Sequence, residues 1–282
     1  MEKNRMQITI RDDFDLEKIA ASGQCFRAKL LDNGSYRFVS GEHVIYIKET
    51  GKNVFSVSCT NDEWKAVWTR YFDLDRSYRD LYYEEREKHE YVRAAMDCGR
   101  GLRILRQDPW EMLITFIISQ RKSIPAIAGS VEALAKKYGH RIKTDREILY
   151  SFPTPEELAA ASIEELRECG LGYRAPYIYD AIQKVASGRL NLDALAHYSD
   201  TDLFEALQTV HGVGKKVANC ICLFGYGRMA RVPVDVWILR AVEEDCHGED
   251  PFRLFENNAG IIQQYVFYFK KNAGKTYKEY LS

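Results

Sequence analysis

Five short β-prone runs fall within the first 58 residues of this chain, and they restrict the fold more than any other feature. The runs cover 6–10, 25–30, 35–40, 43–48 and 53–58, with turns marked by Asn33-Gly34, Ser40-Gly41 and Gly51. Runs this short and this closely spaced suit a small antiparallel sheet. From Asn61 the text turns helical. Asn61 and Asp62 can cap a helix through about Tyr71, and a second helix is expected near 86–98. From Gln107 onward the chain reads as almost entirely helical. Asp108-Pro109 opens a helix through Gln120, with proline in its first turn. Helices near 124–138, 155–160, 163–168, 174–187 and 201–208 follow, punctuated by Gly139, Pro153, Gly170, Gly172 and Gly188. The expected class is α+β, with a sheet-bearing domain over 1–105 and a helical domain over 106–282.

Composition narrows the function. Hydrophobic residues make up 46% of the chain, enough for a sizeable core. No apolar run approaches the roughly 20 residues that span a bilayer. The amino terminus is too charged for a signal peptide, so a cytoplasmic protein is expected. Forty basic and 41 acidic residues leave a net charge of −1, which argues against a non-specific nucleic-acid coat. Seven scattered cysteines, at 25, 59, 98, 169, 220, 222 and 246, suit neither a disulfide framework nor a zinc site. Nor do they form the close cluster that an iron–sulfur centre needs.

One stretch carries chemistry. Over 201–224 a helix ends, Gly212-Val213-Gly214 makes a tight turn, and a second helix begins. Glycines permit the turn and the close approach of another backbone. The unpaired amides at the second helix's start favour an anion such as a phosphate. An ordinary helix corner has the same appearance. Helical spacing puts Val217, Ile221 and Phe224 on an apolar stripe, with Lys215 opposite and Lys216 on the flank. Cys220 lies one turn beyond Lys216 on the same side. A helix amino terminus disfavours a nearby cation and so favours the neutral amine that nucleophilic attack requires. A surface lysine is the ordinary alternative. Further on, Val232-Pro233-Val234-Asp235-Val236-Trp237 puts Asp235 at the start of another helix, as a cap or as a catalytic carboxylate.

With these residues in view, HGVGKKVANC followed by RVPVDVW resembles the helix-hairpin-helix DNA glycosylases, and more closely their 8-oxoguanine branch. SGQCFR at 22–27, YFDLD at 71–75, RQDPWEMLITFIIS at 106–119 and GLGYRA at 170–175 resemble the same branch. The resemblance implies a bifunctional base-excision enzyme that flips its target base out of duplex DNA. It makes Lys216 the Schiff-base lysine and Asp235 the essential aspartate. Gly23 would offer its carbonyl to N7–H of 8-oxoguanine, a proton that guanine lacks. Cys220 and Phe267 would sandwich the base, and Gln263 would bond its Watson–Crick edge. Read from the sequence alone, Phe267 is a core residue. Tyr173 and Arg174 would serve as wedge and reader of the opposite base, or else as a solvated helix start. Arg121, Gly212, Gly214, Lys215 and Trp237 complete the expected DNA contacts.

Three departures stand out. Arg121 stands where eukaryotic members have an asparagine, and Ala126 where they have an arginine; Trp237 replaces a phosphate-contacting histidine. Weaker reading of the opposite base is therefore expected. No redox or organic cofactor is implied. A monovalent cation on the carbonyls of Gln208, Val210 and Val213 is implied by the resemblance. The expected partner is duplex DNA carrying 8-oxoguanine, bound by a monomer associated with the nucleoid. Two rival readings stay open: a monofunctional alkylpurine glycosylase, which needs no lysine, and a non-catalytic hairpin module that only binds DNA.

Overall fold

The strands of the first 58 residues form where their turns place them. In the computed structural model, which describes residues 6–272, β1 (Met6–Thr9), β2 (Lys29–Leu30), β3 (Tyr36–Ser40), β4 (His43–Gly51) and β5 (Val54–Val57) make one sheet in the order β1-β5-β4-β3-β2. The sheet is antiparallel, as expected, with Ile8 opposite Phe55 and Ile47 opposite Val57. A register shift between Glu49 and Gly51 bulges β4 just before the turn into β5.

The helices that follow are α1 (Leu16–Ala21, earlier in the chain), α2 (Tyr78–Glu85), α3 (Glu90–Gly99), α4 (Pro109–Ile118), α5 (Ile124–Tyr138), α6 (Ala175–Ala186), α7 (Asp200–Gln208), α8 (Lys215–Phe224), α9 (Val236–Arg240) and α10 (Ala259–Asn272). Three details depart from the sequence reading. The helical run over 61–71 is capped by Thr60, whose hydroxyl accepts from the Glu63 amide, rather than by Asn61 or Asp62. The helix expected at 86–98 is α3, which begins at Glu90, and α2 precedes it where no helix was expected. A small hairpin, β6 (Arg141–Lys143) with β7 (Ile148–Tyr150), lies between the helices expected at 124–138 and 155–160, where no strand was expected.

The chain divides into two compact units, and neither is continuous in sequence. One comprises Met1–Cys25, Ile47–Arg106 and Arg228–Ser282; the other comprises Phe26–Tyr46 and Gln107–Gly227. One boundary falls at 106/107, and the carboxy-terminal segment belongs with the first unit. The reason is packing: α10 lies along α3, where Tyr91 meets Phe269 edge to face at 5.6 Å.

In the first unit Phe14, Phe55 and Phe72 pack edge to face, with centroids 5.2 and 5.3 Å apart. Arg103, wholly buried, ties the loops around them. Its Nε donates to the Phe72 carbonyl, Nη1 to Asp12 and the Asp13 carbonyl, and Nη2 to the Asp73 and Arg76 carbonyls. A buried guanidinium is tolerable only when its donors are satisfied this fully.

The second unit is built around α4, whose residues from Trp110 to Ile118 are all buried. Asp108 caps it through the Glu111 amide and Pro109 opens it, as the sequence indicated. Phe116 stacks on Phe224 of α8 at 5.5 Å and meets Phe26 edge-on at 6.2 Å. This places α8, with the glycine turn before it, against the most apolar helix of the unit.

Candidate functional site

The second unit carries the hairpin. Gly212 has a φ of +81°, and a methyl group there would meet the Tyr177 ring at 2.4 Å. Both facts require glycine. Gly214 differs: its φ is −88° and a side chain would meet nothing within 4 Å. Glycine at that position instead leaves the backbone open to an approaching group. Helix α6 braces the turn. Lys184 donates to the Thr209 carbonyl at 2.6 Å, and the Asp180 carboxylate accepts from the His211 amide at 2.8 Å. Burial works against the charge of Asp180, but the bonds from Lys184 and His211 outweigh it and hold the carboxyl below its ordinary range.

The amides at the start of α8 have no side-chain cap, whereas α7 is capped by Ser199 and α9 by Asp235. An uncapped, open amino terminus behind glycine is a ready anion site. Lys215 is exposed there, Lys216 is partly covered, and Cys220 is 2% exposed. The assignment of one lysine outward and one to the flank is therefore what the backbone produces. The Lys216 ammonium stands 5.4 Å from the Phe116 ring centroid and has no hydrogen bond or ion pair among the described residues. It is an amine sheltered by an aromatic ring and committed to nothing else.

Tyr173 and Arg174 behave differently from each other. Tyr173 is 51% exposed, as a wedge requires. Arg174 is buried, and a solvated helix start does not describe it. Its Nε donates to the Gln120 carbonyl at 2.8 Å, Nη2 to the same oxygen, and its guanidinium lies 4.3 Å from the Tyr173 ring. Arg121, beside that carbonyl, is exposed with a φ of +50°.

The first unit carries the other expected residues. Asp235 is partly buried and caps α9, its Oδ1 accepting from Trp237 at 2.9 Å and Ile238 at 3.0 Å. Both bonds fall on Oδ1, so Oδ2 is left without a hydrogen bond among the described residues. The cap and the available carboxylate oxygen coexist. Gly23 has a φ of +76° in a loop pinned on both sides. Gln264 donates to the Ser22 carbonyl at 2.9 Å, while Gln24 bonds the Arg103 carbonyl at 2.8 Å and the Leu105 amide at 2.7 Å.

On α10, Gln263 is 2% exposed, and its Oε1 has no partner among the described residues. An orphaned buried acceptor costs about 1–3 kcal/mol, which a donor from a bound ligand offsets. Phe267, one turn further, is half-exposed, whereas Tyr265, Val266 and Phe269 are buried. That corrects the reading of Phe267 as a core residue: only helix phase separates it from its buried neighbours. Gln264, Tyr177, Asp180 and Arg103 were not anticipated from sequence. The i,i+4 pairing of Asp180 with Lys184 was the one local signal available.

A glycine hairpin leading into an uncapped helix with a sheltered lysine, and a capping aspartate with a free oxygen, define a helix-hairpin-helix protein of the base-excision type. Comparison with known proteins makes this specific. Residues 6–113 match the amino-terminal domain of 8-oxoguanine DNA glycosylase, and residues 114–250 match the HhH-GPD superfamily of base excision DNA repair proteins. The Clostridium acetobutylicum 8-oxoguanine glycosylase/lyase, solved with duplex DNA containing cytosine opposite 8-oxoguanine, is 31% identical with a TM-score of 0.90, covering 97% of both chains. The N-glycosylase/DNA lyase of Saccharomyces cerevisiae is 36% identical over 200 residues, 66% of this chain and 53% of the yeast protein. The Arabidopsis thaliana N-glycosylase/DNA lyase OGG1 is 32% identical over 77% of this chain and 62% of the plant protein. The chain thus spans about half the length of the yeast relative it matches. It belongs to the 8-oxoguanine DNA glycosylase family.

Proposed function

We propose that this protein is a bifunctional DNA glycosylase and lyase that removes 8-oxoguanine from duplex DNA. The observation that carries the reading is the Lys216 amine, uncommitted and sheltered over Phe116, on a helix whose open amino terminus suits a phosphate. The target nucleotide leaves the base stack, and the exposed Tyr173 with Arg121 occupies the gap. Gly23 offers its carbonyl to N7–H, which rejects guanine because guanine N7 is itself an acceptor. Gln263 Oε1 accepts from the Watson–Crick edge, and Phe267 and Cys220 supply the apolar faces.

As the glycosidic bond lengthens, positive charge grows at C1′ and the Asp235 carboxylate stabilises it. Lys216 Nζ forms a bond to C1′ while the bond to N9 breaks, and the base leaves with that electron pair and takes up a proton. Opening of the sugar gives a Schiff base. Loss of a C2′ proton then expels the 3′ phosphate by β-elimination. None of these steps needs a redox or organic cofactor. The carbonyls of Gln208, Val210 and Val213 suit a monovalent cation: they belong to a helix end and its turn, where carbonyls outnumber amide donors, and the Val210 carbonyl accepts from the Val213 amide. Such a cation would stiffen the hairpin.

The protein would act as a monomer in the cytoplasm. No helix among the described residues is long and apolar enough to cross a membrane, and no disulfide joins the seven cysteines. Borohydride trapping on an 8-oxoguanine duplex tests the proposal. A covalent adduct lost in Lys216→Gln is the expected result. Full base release by that variant would identify a monofunctional enzyme that uses water, and binding without release by the unaltered protein would identify a DNA-binding module.

A further inference from the structure

Helix α10 carries a third residue on the face of Gln263 and Phe267. Lys271 follows Phe267 at the i,i+4 spacing that aligned Phe267 with Gln263. Its ammonium stands 5.5 Å from the Phe267 ring centroid. It is partly buried and makes no direct ion pair or hydrogen bond among the described residues. Burial pulls its pKa below the ordinary lysine range, and the charge of Asp235 opposes that pull, so the amine and the carboxylate lie within electrostatic reach of each other. A partly desolvated cation beside an aromatic ring, with no direct ion pair, carries a desolvation cost that an anion in direct contact would offset.

Which anion arrives follows from its neighbours. On the reading proposed above, Phe267 and Gln263 face the base, and Asp235 faces the sugar at C1′. The anionic group joined to that sugar is its phosphodiester. Resting on that reading, we propose that Lys271 binds a phosphate of the flipped nucleotide and so anchors the sugar over Asp235. Trp237, two residues beyond Asp235 in sequence, carries no charge, and Lys271 supplies a cation within electrostatic reach of Asp235.

Salt-dependent binding tests the assignment. Each phosphate contact contributes about 0.9 to the slope of log K against log salt concentration on duplex DNA. The wild type, Lys271→Met and Lys271→Arg are titrated with two duplexes, one carrying 8-oxoguanine and one a tetrahydrofuran abasic analogue that has the phosphates but no base. A phosphate contact predicts that Lys271→Met weakens binding to both duplexes and lowers both slopes by about 0.9, with Lys271→Arg retaining them. Weaker binding of the 8-oxoguanine duplex alone, with unchanged slopes, would make Lys271 a prop for the Phe267 ring and overturn the proposal. Unchanged binding throughout would overturn it as well. If the slopes fall but the wild type releases no 8-oxoguanine, the phosphate contact stands and the proposed activity fails.

Discussion

Glu111 lies inside α4, 7% exposed, and offers a direct test of the packing that supports the hairpin helix. Burial raises its carboxyl from the ordinary 4.5 to about 7; Arg27 opposes the rise, and Asp108 and Glu132 add to it. Arg27 itself donates to Glu132 at 2.9 Å and to the Tyr150 carbonyl. In the unfolded chain Glu111 ionises near 4.5, and in the fold near 7. Between these values the folded protein holds a proton that the unfolded chain has released. Its contribution to stability is therefore complete below about pH 4.5 and is lost as pH rises through about 7. The interval is about 2.5 pH units, 7 less 4.5, and at about 1.4 kcal/mol per unit it amounts to about 3 kcal/mol. Glu111→Gln keeps the size and polarity of the protonated acid and cannot ionise. Urea denaturation followed from pH 4.5 to 8 should show the two proteins converging at the acid end. The variant should be the more stable by up to about 3 kcal/mol at the alkaline end. Parallel curves would show that Glu111 is ionised in the fold, and the account of the α4 interior would be wrong.

Three further outcomes are expected. Arg103→Met removes a guanidinium that serves four carbonyls and Asp12, so each loses a buried donor; it should cost about 3–5 kcal/mol in chemical denaturation, and a loss below about 1 kcal/mol would refute the hub role. Gly212→Ala drives a methyl group into Tyr177 and adds roughly 1–3 kcal/mol of backbone strain, so thermal stability and duplex affinity should fall together; unchanged affinity would separate the turn from DNA binding. Excision measured opposite C, A, G and T should show a cytosine advantage smaller by about 1–3 kcal/mol than in relatives that keep the asparagine and arginine replaced here by Arg121 and Ala126. A full advantage would show that Arg174 suffices.

Legibility followed the range of the interaction. Asp108-Pro109, the glycine turn and the stripe of Val217, Ile221 and Phe224 are set by neighbours in sequence, and the structure reproduces them. The β6–β7 hairpin escaped notice because its strands are three residues long and mostly solvated, so no alternation marks them. The charged run from Tyr78 to Gly99 contains no proline or glycine before its end, and nothing local announces that Ser77 starts one helix and His89 precedes another. The burial of Arg174 depends on carbonyls far away in sequence, and periodicity cannot supply that information. The same limit applied to Lys271, whose meaning appears only when Phe267 and Asp235 are placed beside it.

Gln120 shows why opposite-base reading and the hairpin should not vary independently. Its side-chain Nε2 donates to the Gly212 carbonyl at 3.1 Å and to the Ile117 carbonyl at 3.2 Å, which ties the turn to the end of α4. Its own carbonyl receives the Arg174 guanidinium and, at 3.4 Å, the Tyr173 hydroxyl. The next residue, Arg121, adopts a left-handed backbone that asparagine tolerates better than arginine. Arg174 also bonds the Arg121 carbonyl at 3.3 Å, so the same guanidinium helps to hold that strained turn. If Arg174 turns toward a base across the duplex, it must release these carbonyls, and the Arg121 turn loses a restraint at the same moment. Reading the opposite base therefore carries a conformational cost that an asparagine at 121 would reduce. The weaker discrimination expected of this chain then has two sources that act together: contacts that Arg121 and Ala126 do not make, and an Arg174 already engaged in holding the backbone between the hairpin and the wedge.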